Sequence, residues 1–421
     1  MEARGPQPPA LSTPLEGVTV LDLTVALAGP YATLLLAGLG ATVIKVENPD
    51  RGGDTSRNNA PYVGAAGLSL TREGDEDLSV AMLERGRNKL SITLNLKRGR
   101  ARELFGELVR HADVVVENYP AGTADRLGIG YSFCSALNER IVYTAISGFG
   151  ATGSRRAQKG MDTIFQAMSG LMTVSGSDGD PPVRSGIPFG DMTGPLFAVI
   201  GTLAALHQRE RTGVGQFVDV SLLGTLASVV ATEPFDKLQG LGIPTRTGNS
   251  VPRLAPFGIF RTADGHIALC APLDQMSRGV FTAMDKPELA EDERFSSRDR
   301  RVRNWRELHA LIDAWAGSLT TEEAVNLLQA SGAPAAPVRT PQEAVRDPEL
   351  LARHETMQLV HPRFGPVDDL IGSGFPIGFS GAEVGYEQPP PYLGEHNEVI
   401  LGGMLGCDAD EIAALRADGI I

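Results

Sequence analysis

Apolar and β-branched residues fall into short runs separated by helix-like stretches. Val18-Thr-Val-Leu-Asp-Leu23 predicts a strand, Tyr31 to Leu39 an apolar helix closed by Gly38 and Gly40, and Ala41-Thr-Val-Ile-Lys-Val46 a second strand. A strand–helix–strand unit of this length implies a right-handed parallel crossover. The pattern repeats with a strand at Lys89–Leu96, a helix at Arg100–His111, and strands at Asp113–Glu117 and Ile141–Ile146. These elements predict an α/β fold: a Rossmann-like, mostly parallel sheet with helices on both faces. Residues 48–80 are Gly-, Asp- and Arg-rich with little periodicity. They read as a long excursion of the kind that covers a site.

Farther along, Met192 to Arg209 predicts a strong helix beginning just after Gly190-Asp191. Gln216–Leu222 predicts a strand and Leu223–Val230 a helix. Gly240, Gly242, Pro244, Gly248 and Pro252 then mark a linker. A hairpin is expected over Gly258–Cys270, turning at Ala263-Asp-Gly265, with helices near 275–285, 304–317 and 321–331. The expected organisation is therefore the first part of a large Rossmann-like domain over 1–225, a linker and smaller α+β domain over 226–334, and a return to the large domain over 335–421.

Composition narrows the function classes. The chain has 421 residues, 42% of them apolar, and a formal net charge of −13. That balance argues against nucleic acid and anionic membranes as partners. No run of about 18 apolar residues is present, so no membrane span is expected. Met1 to Pro14 is Pro-rich and polar, unlike a signal peptide. Cys134, Cys270 and Cys407 are too scattered for a disulfide framework or a zinc site, which fits a reducing cytoplasm.

Several catalytic signatures are missing. There is no G-x-S-x-G elbow, no H-E-x-x-H and no Walker A sequence, and Gly38-Leu-Gly40 follows a helix rather than a strand. A metal is not expected, and a carboxylate remains the most plausible reactive side chain. Phe189-Gly-Asp-Met-Thr-Gly194 supplies one. Asp191 at the start of a helix is held ionised by the dipole and suits attack on a thioester carbonyl. By spacing alone the ordinary helix cap is the favoured reading. Ala28-Gly-Pro30 opens the first helix, where free N–H groups suit an oxyanion or phosphate, or form a plain turn. Asn88, Lys89, Lys97, Asn118 and Arg126 lie near predicted strand ends, where ligands of open α/β sheets bind. Each is also readable as a solvated surface group. Lys159-Gly-Met-Asp162 offers a second polar group or a helix cap.

Taken together, these segments resemble the class III (CaiB/BaiF) CoA-transferases, the family of formyl-CoA:oxalate and carnitine CoA-transferases. The similarity is carried by Leu21-Asp-Leu-Thr24 with Ala28-Gly-Pro30, Leu39 to Glu47, Ala112 to Asn118, Arg126-Leu-Gly128, Ile146 to Gly150, Gly190-Asp191, Arg211 to Gln216, Thr262 to Gly265 and Leu393-Gly-Glu-His396. It spans Leu15 to Ile420.

The resemblance implies that Asp191 is a nucleophile passing CoA to a carboxylic acid through acyl-anhydride and aspartyl-CoA intermediates. Asp162 would be a helper carboxylate. Lys97, Asn118, Tyr119, Arg126 and Lys159 would lie near CoA, with Asn88 and Lys89 beside them. It further implies an interlocked homodimer, an acyl-CoA thioester as substrate and no tightly bound cofactor. Leu27 stands where the oxalate-type enzymes carry glutamine, and the small domain has no glycine-rich flap. These departures point to an acceptor larger and less polar than oxalate. Met161 stands where the related α-methylacyl-CoA racemases carry a histidine, which favours CoA transfer over racemisation. A non-catalytic partner subunit is the remaining alternative.

Overall fold

The computed structural model describes residues 12–421. Most of the segment examined for a signal sequence, Met1 to Pro14, lies outside the described residues. The chain forms two compact units. The first runs up to Ser169 and then takes Ser185–Val230 and Val345–Ile421; the second takes Gly170–Arg184 and Ala231–Ala344.

The first unit is built on a six-stranded parallel sheet. Its strands are β1 (Thr19–Asp22), β2 (Thr42–Glu47), β3 (Lys89–Thr93), β4 (Val114–Glu117), β5 (Val142–Ser147) and β6 (Phe217–Ser221). The order is β3-β2-β1-β4-β5-β6. The chain winds outward from β1 in one direction, then crosses to β4 and winds outward in the other. The reversal leaves a crevice beyond the carboxyl ends of β1 and β4, the place where such sheets bind ligands. β-Branched residues explain the strands: all four positions of β4, Val-Val-Val-Glu, are buried.

Helices cover the sheet. α1 (Ala28–Gly38) follows β1 directly and buries every residue but Tyr31. Gly29 is required there, because a Cβ would collide with Thr24 and Asn118. After α2 (Val80–Arg85) comes α3 (Gly99–His111), which buries Ala101, Leu104, Phe105, Leu108 and Val109, one face at helical spacing. α4 (Asp162–Met168) precedes α5 (Phe189–Thr212). α5 begins earlier than its apolar pattern predicts, so Asp191 sits inside its first turn rather than in front of it. By length and composition α5 is apolar enough to cross a membrane, with mean hydropathy 1.4 over its best window. Half of that window is buried within the fold, where α5 packs on α1 and the sheet.

The excursion after β2 is ordered. It carries the short antiparallel strands Tyr62–Gly64, Gly67–Ser69 and Leu78–Ser79. Arg57 anchors it, bonding both oxygens of Glu47 at 2.8 and 2.7 Å.

The second unit contains the expected hairpin, β7 (Phe257–Arg261) with β8 (His266–Cys270). β9 (Ala335–Pro337), which the sequence assigns to the returning segment, pairs instead with β8. α6 (Asp274–Ala283), α7 (Trp305–Ala316) and α8 (Thr321–Ala330) pack around Phe281, Phe295 and Leu308. Thr320 and Glu323 close a capping box on α8.

Candidate active site

A cavity of about 690 Å³ opens at the carboxyl ends of β1, β2, β3 and β4. Leu23, Leu94 and Leu96 form part of its wall, Tyr119 and Lys97 face it, and Arg51 and Asn58 reach it from the excursion. An apolar chamber with cations at its edge suits a long ligand with an anionic end. Tyr119 also lines a neighbouring cavity of about 620 Å³, which holds Arg126 and Glu117. Burial pushes the Glu117 carboxyl up to about 8, and its Oε2 accepts the Tyr119 N–H at 2.5 Å.

The turn between β1 and α1 is fixed on both sides. Asn118 accepts the Val25 N–H at 2.9 Å and donates to the Val25 carbonyl at 2.8 Å. Ala26 adopts φ 68° and its N–H bonds Asp54 at 2.8 Å. No side chain caps the first turn of α1, which starts at Ala28. The carbonyl of Ala26 accepts Arg85 Nε at 3.1 Å. This brings the cation at the end of α2 to the turn.

Asp191 belongs to the same neighbourhood. Burial raises its carboxyl pKa to about 6; the charge of Asp162 adds to this and the guanidinium of Arg85 opposes it. Asp162 caps α5 from a different helix. Its Oδ1 accepts the N–H groups of Gly190 at 2.7 Å and Asp191 at 3.3 Å, and its Oδ2 takes Gln166 at 2.6 Å. A Cβ on Gly190 would lie 3.1 Å from that Oδ1, so a residue without one lets the carboxylate close in. Pro195 has no N–H for the Asp191 carbonyl four residues back, which loosens the helix where the carboxylate stands.

One family model matches residues 15–397, that of CoA-transferase family III. The chain belongs to CoA-transferase family III. Curated relatives include a succinyl-CoA–D-citramalate CoA-transferase of Chloroflexus aurantiacus, 36% identical over 97% of this chain and 98% of that protein. A succinyl-CoA:glutarate CoA-transferase of Mus musculus is 34% identical over 97% of this chain and 90% of that one. Among solved structures, a CAIB/BAIF family protein from Brucella suis superposes with a TM-score of 0.79 at 33% identity, covering 93% of this chain and all of that one.

Within this CoA-transferase the residues singled out from the sequence separate into two groups. Lys97 and Tyr119 face the first cavity, Arg126 the second, and Ala28 opens α1 beside the turn. Asn118 shapes that turn with its whole amide. Lys159 is exposed in the loop before α4.

Three of these residues make hydrogen bonds within the fold itself. Lys89 is no surface cation: its ammonium is buried and bonds Asp22 at 3.0 Å, Thr33 at 2.7 Å and the Pro30 carbonyl at 2.9 Å. Its three donors are spent on the fold. Asn88, at φ 56°, donates to the Gly385 carbonyl and accepts from Glu387 and Gln388, tying down the C-terminal segment. Asp162 has both oxygens engaged by protein donors, the N–H groups of Gly190 and Asp191 on one and Gln166 on the other.

Sequence reasoning passed over Lys45, Asp54 and Arg85. Lys45 is buried between Asp54 at 2.8 Å and Asp22 at 3.8 Å. Burial alone would lower its pKa; Asp22, Asp54 and Glu47 outweigh that and raise it. Lys89 shares Asp22 with it, and burial together with Lys45's charge brings Lys89 down to about 8 against the pull of Asp22. A signal existed, because Lys45 and Glu47 interrupt a strand otherwise apolar on both faces.

The capping geometry is testable. Asp162→Asn keeps an acceptor oxygen, so most transfer activity should survive. With one negative charge removed, the Asp191 carboxyl should titrate at lower pH. Asp162→Ala removes the cap and should cost about 1–2 kcal/mol of stability together with about 10- to 100-fold in rate. Steady-state rates and pH profiles of both variants check this; an Asn variant as slow as the Ala variant would contradict the positioning role.

Proposed function

We propose that this enzyme moves CoA from an acyl-CoA to a carboxylic acid acceptor by nucleophilic catalysis at Asp191. The observation carrying this reading is a half-buried carboxylate in the first turn of α5, whose backbone N–H is capped by Asp162 and whose titration feels Arg85, the cation bonded to the carbonyl of the Ala26 turn. At neutral pH it is mostly ionised, yet more basic than an exposed aspartate.

The chemistry balances without a proton donor. An Asp191 oxygen attacks the thioester carbonyl and CoA thiolate leaves, giving a mixed anhydride. The thiolate then attacks the aspartyl carbonyl and expels the donor carboxylate, giving an aspartyl-CoA thioester. The acceptor carboxylate attacks that thioester, forming a second anhydride and freeing the thiolate. Thiolate attack on the new acyl carbonyl yields product and restores Asp191. In this reading the backbone N–H groups at Ala28 stabilise the oxyanions. Lys97, Tyr119 and Arg126 hold the nucleotide end of CoA, with Lys159 reaching it from its loop. Racemisation would need a second acid/base group, and Met161, where the racemases carry a histidine, cannot supply one.

The enzyme is proposed to act as a homodimer, in keeping with the exposed apolar side chains Leu196, Phe197 and Ile200 along α5. Sedimentation showing only monomer at micromolar concentration would contradict that.

Two measurements test the nucleophile. Hydroxylamine should inactivate the enzyme only while acyl-CoA is present, because only then is the Asp191 carbonyl activated. The rate of acylation should fall on the acid side with an apparent pKa of about 6, since protonation removes the attacking form. A flat profile from pH 5 to 8 would count against Asp191.

A further inference from the structure

We infer that the second unit carries a polyphosphate-binding site of its own, in an arginine-lined cavity that the transfer chemistry does not use. Every residue given a part in CoA transfer belongs to the first unit, and every residue lining this cavity belongs to the second.

The cavity holds about 660 Å³, room for a ligand of nucleotide size. Arg246, Arg253, Arg298, Arg303 and Arg306 line it together with Trp305. Asp178 and Asp299 are the only acids on its wall, so positive charge exceeds negative by three. The chain as a whole has a formal net charge of −13. Its acidic balance therefore conceals a local excess of the opposite sign, of the kind that gathers anions.

Two of these arginines build the wall. Arg246 spends Nε on the Thr173 carbonyl at 3.2 Å, Nη2 on the Met172 carbonyl at 3.0 Å, and Nη1 on the Asp180 carbonyl. Arg253 pairs with Glu233 at 2.7 Å. The short helix Arg298–Arg303 is anchored by the buried Arg301, which donates to the Ala255 carbonyl at 3.1 Å and pairs with Asp274 at 2.7 Å. The other three cavity arginines keep donors in hand. Arg298 approaches Asp299 no closer than 3.7 Å. Arg303 spends only Nε, on the Asp299 carbonyl at 3.3 Å. Arg306 lies over the Trp305 ring, 4.8 Å from its centroid. Among the described residues neither Arg303 nor Arg306 forms an ion pair with a carboxylate.

Like charges gathered on a fixed frame repel one another, and a multiply charged anion relieves that repulsion. Guanidinium forks match phosphate oxygens, and several of them around one cavity suit a chain of phosphates better than a single carboxylate. Trp305 adds an aromatic face, which a nucleobase would use and an inorganic chain would not.

Isothermal titration calorimetry of the full chain with tripolyphosphate and with ATP tests the site. The wild type should bind tripolyphosphate, with affinity falling several-fold as ionic strength rises from about 0.05 M to about 0.2 M. Arg303→Gln combined with Arg306→Gln should weaken binding by about tenfold or more. Both side chains are exposed, so this variant should melt with the wild type. Lys97→Gln, which alters the first unit's cavity, should bind tripolyphosphate as the wild type does. ATP binding more tightly than tripolyphosphate would identify the ligand as a nucleotide stacked on Trp305; equal or weaker binding would identify an inorganic polyphosphate. No binding of either by the wild type overturns the site. So does an affinity independent of salt, or binding lost in Lys97→Gln and kept in the double variant, which would put the polyphosphate in the CoA cavity.

Discussion

Asp191→Asn should lower CoA transfer by about ten-thousand-fold or more, because no other group described near the site replaces a carboxylate that forms a covalent bond to the acyl carbon. The same substitution should make the protein more stable at neutral pH. Burial raises the Asp191 pKa from 3.8 to about 6, so the ionised side chain destabilises the fold. Partial solvent access limits that effect to about 1–2 kcal/mol. The sign follows from linkage. The cost is absent below pH 3.8, where the carboxyl is protonated folded or unfolded, and is complete above about pH 6. Thermal melts should therefore show Asp191→Asn above the wild type at pH 7.5, with the gap closing toward pH 4. A variant that is inactive and less stable at pH 7.5 would point to a structural aspartate.

The second large effect concerns stability rather than chemistry. Lys89→Met should cost about 3–5 kcal/mol, because it strips a buried ion pair of one partner and leaves Thr33 and the Pro30 carbonyl without their donor. Asp22 would keep its bonds from Thr24 and Thr33, but its nearest cation would be Lys45, at 3.8 Å. Below the melting temperature, the KM for acyl-CoA should stay within about twofold of the wild type, since the ammonium is spent on the fold. Denaturant midpoints and steady-state kinetics separate the two outcomes. A KM rise without loss of stability would restore Lys89 as a CoA ligand.

The parallel sheet was legible because its strands are β-branched runs spaced by helices, which leaves few topologies. Each of its six strands lies within a residue or two of the predicted span, apart from the end of β3, where Leu94 to Leu96 leave the ladder to line the cavity. What the sequence could not show is how side chains spend their hydrogen bonds. Lys89 and Lys97 look alike in the chain; one is buried under Asp22 and the other faces the cavity. Asp162 and Asp191 likewise read as two caps, yet one caps the helix that carries the other. Arg85 gave no periodic or motif signal, because its position depends on α2 meeting the Ala26 turn across a long excursion. α5 started early for a related reason: its cap comes from Asp162, far back in the chain, rather than from the residue before the helix.

The most direct test is peptide mapping of position 191 after incubation with an acyl-CoA and reduction by borohydride. An aspartyl-CoA thioester is reduced to an alcohol, so the account predicts homoserine at position 191, formed only when acyl-CoA was present and absent from Asp191→Asn. An unmodified Asp191 in an enzyme that turns over under the same conditions, or a reduced carboxyl at another residue, would contradict it.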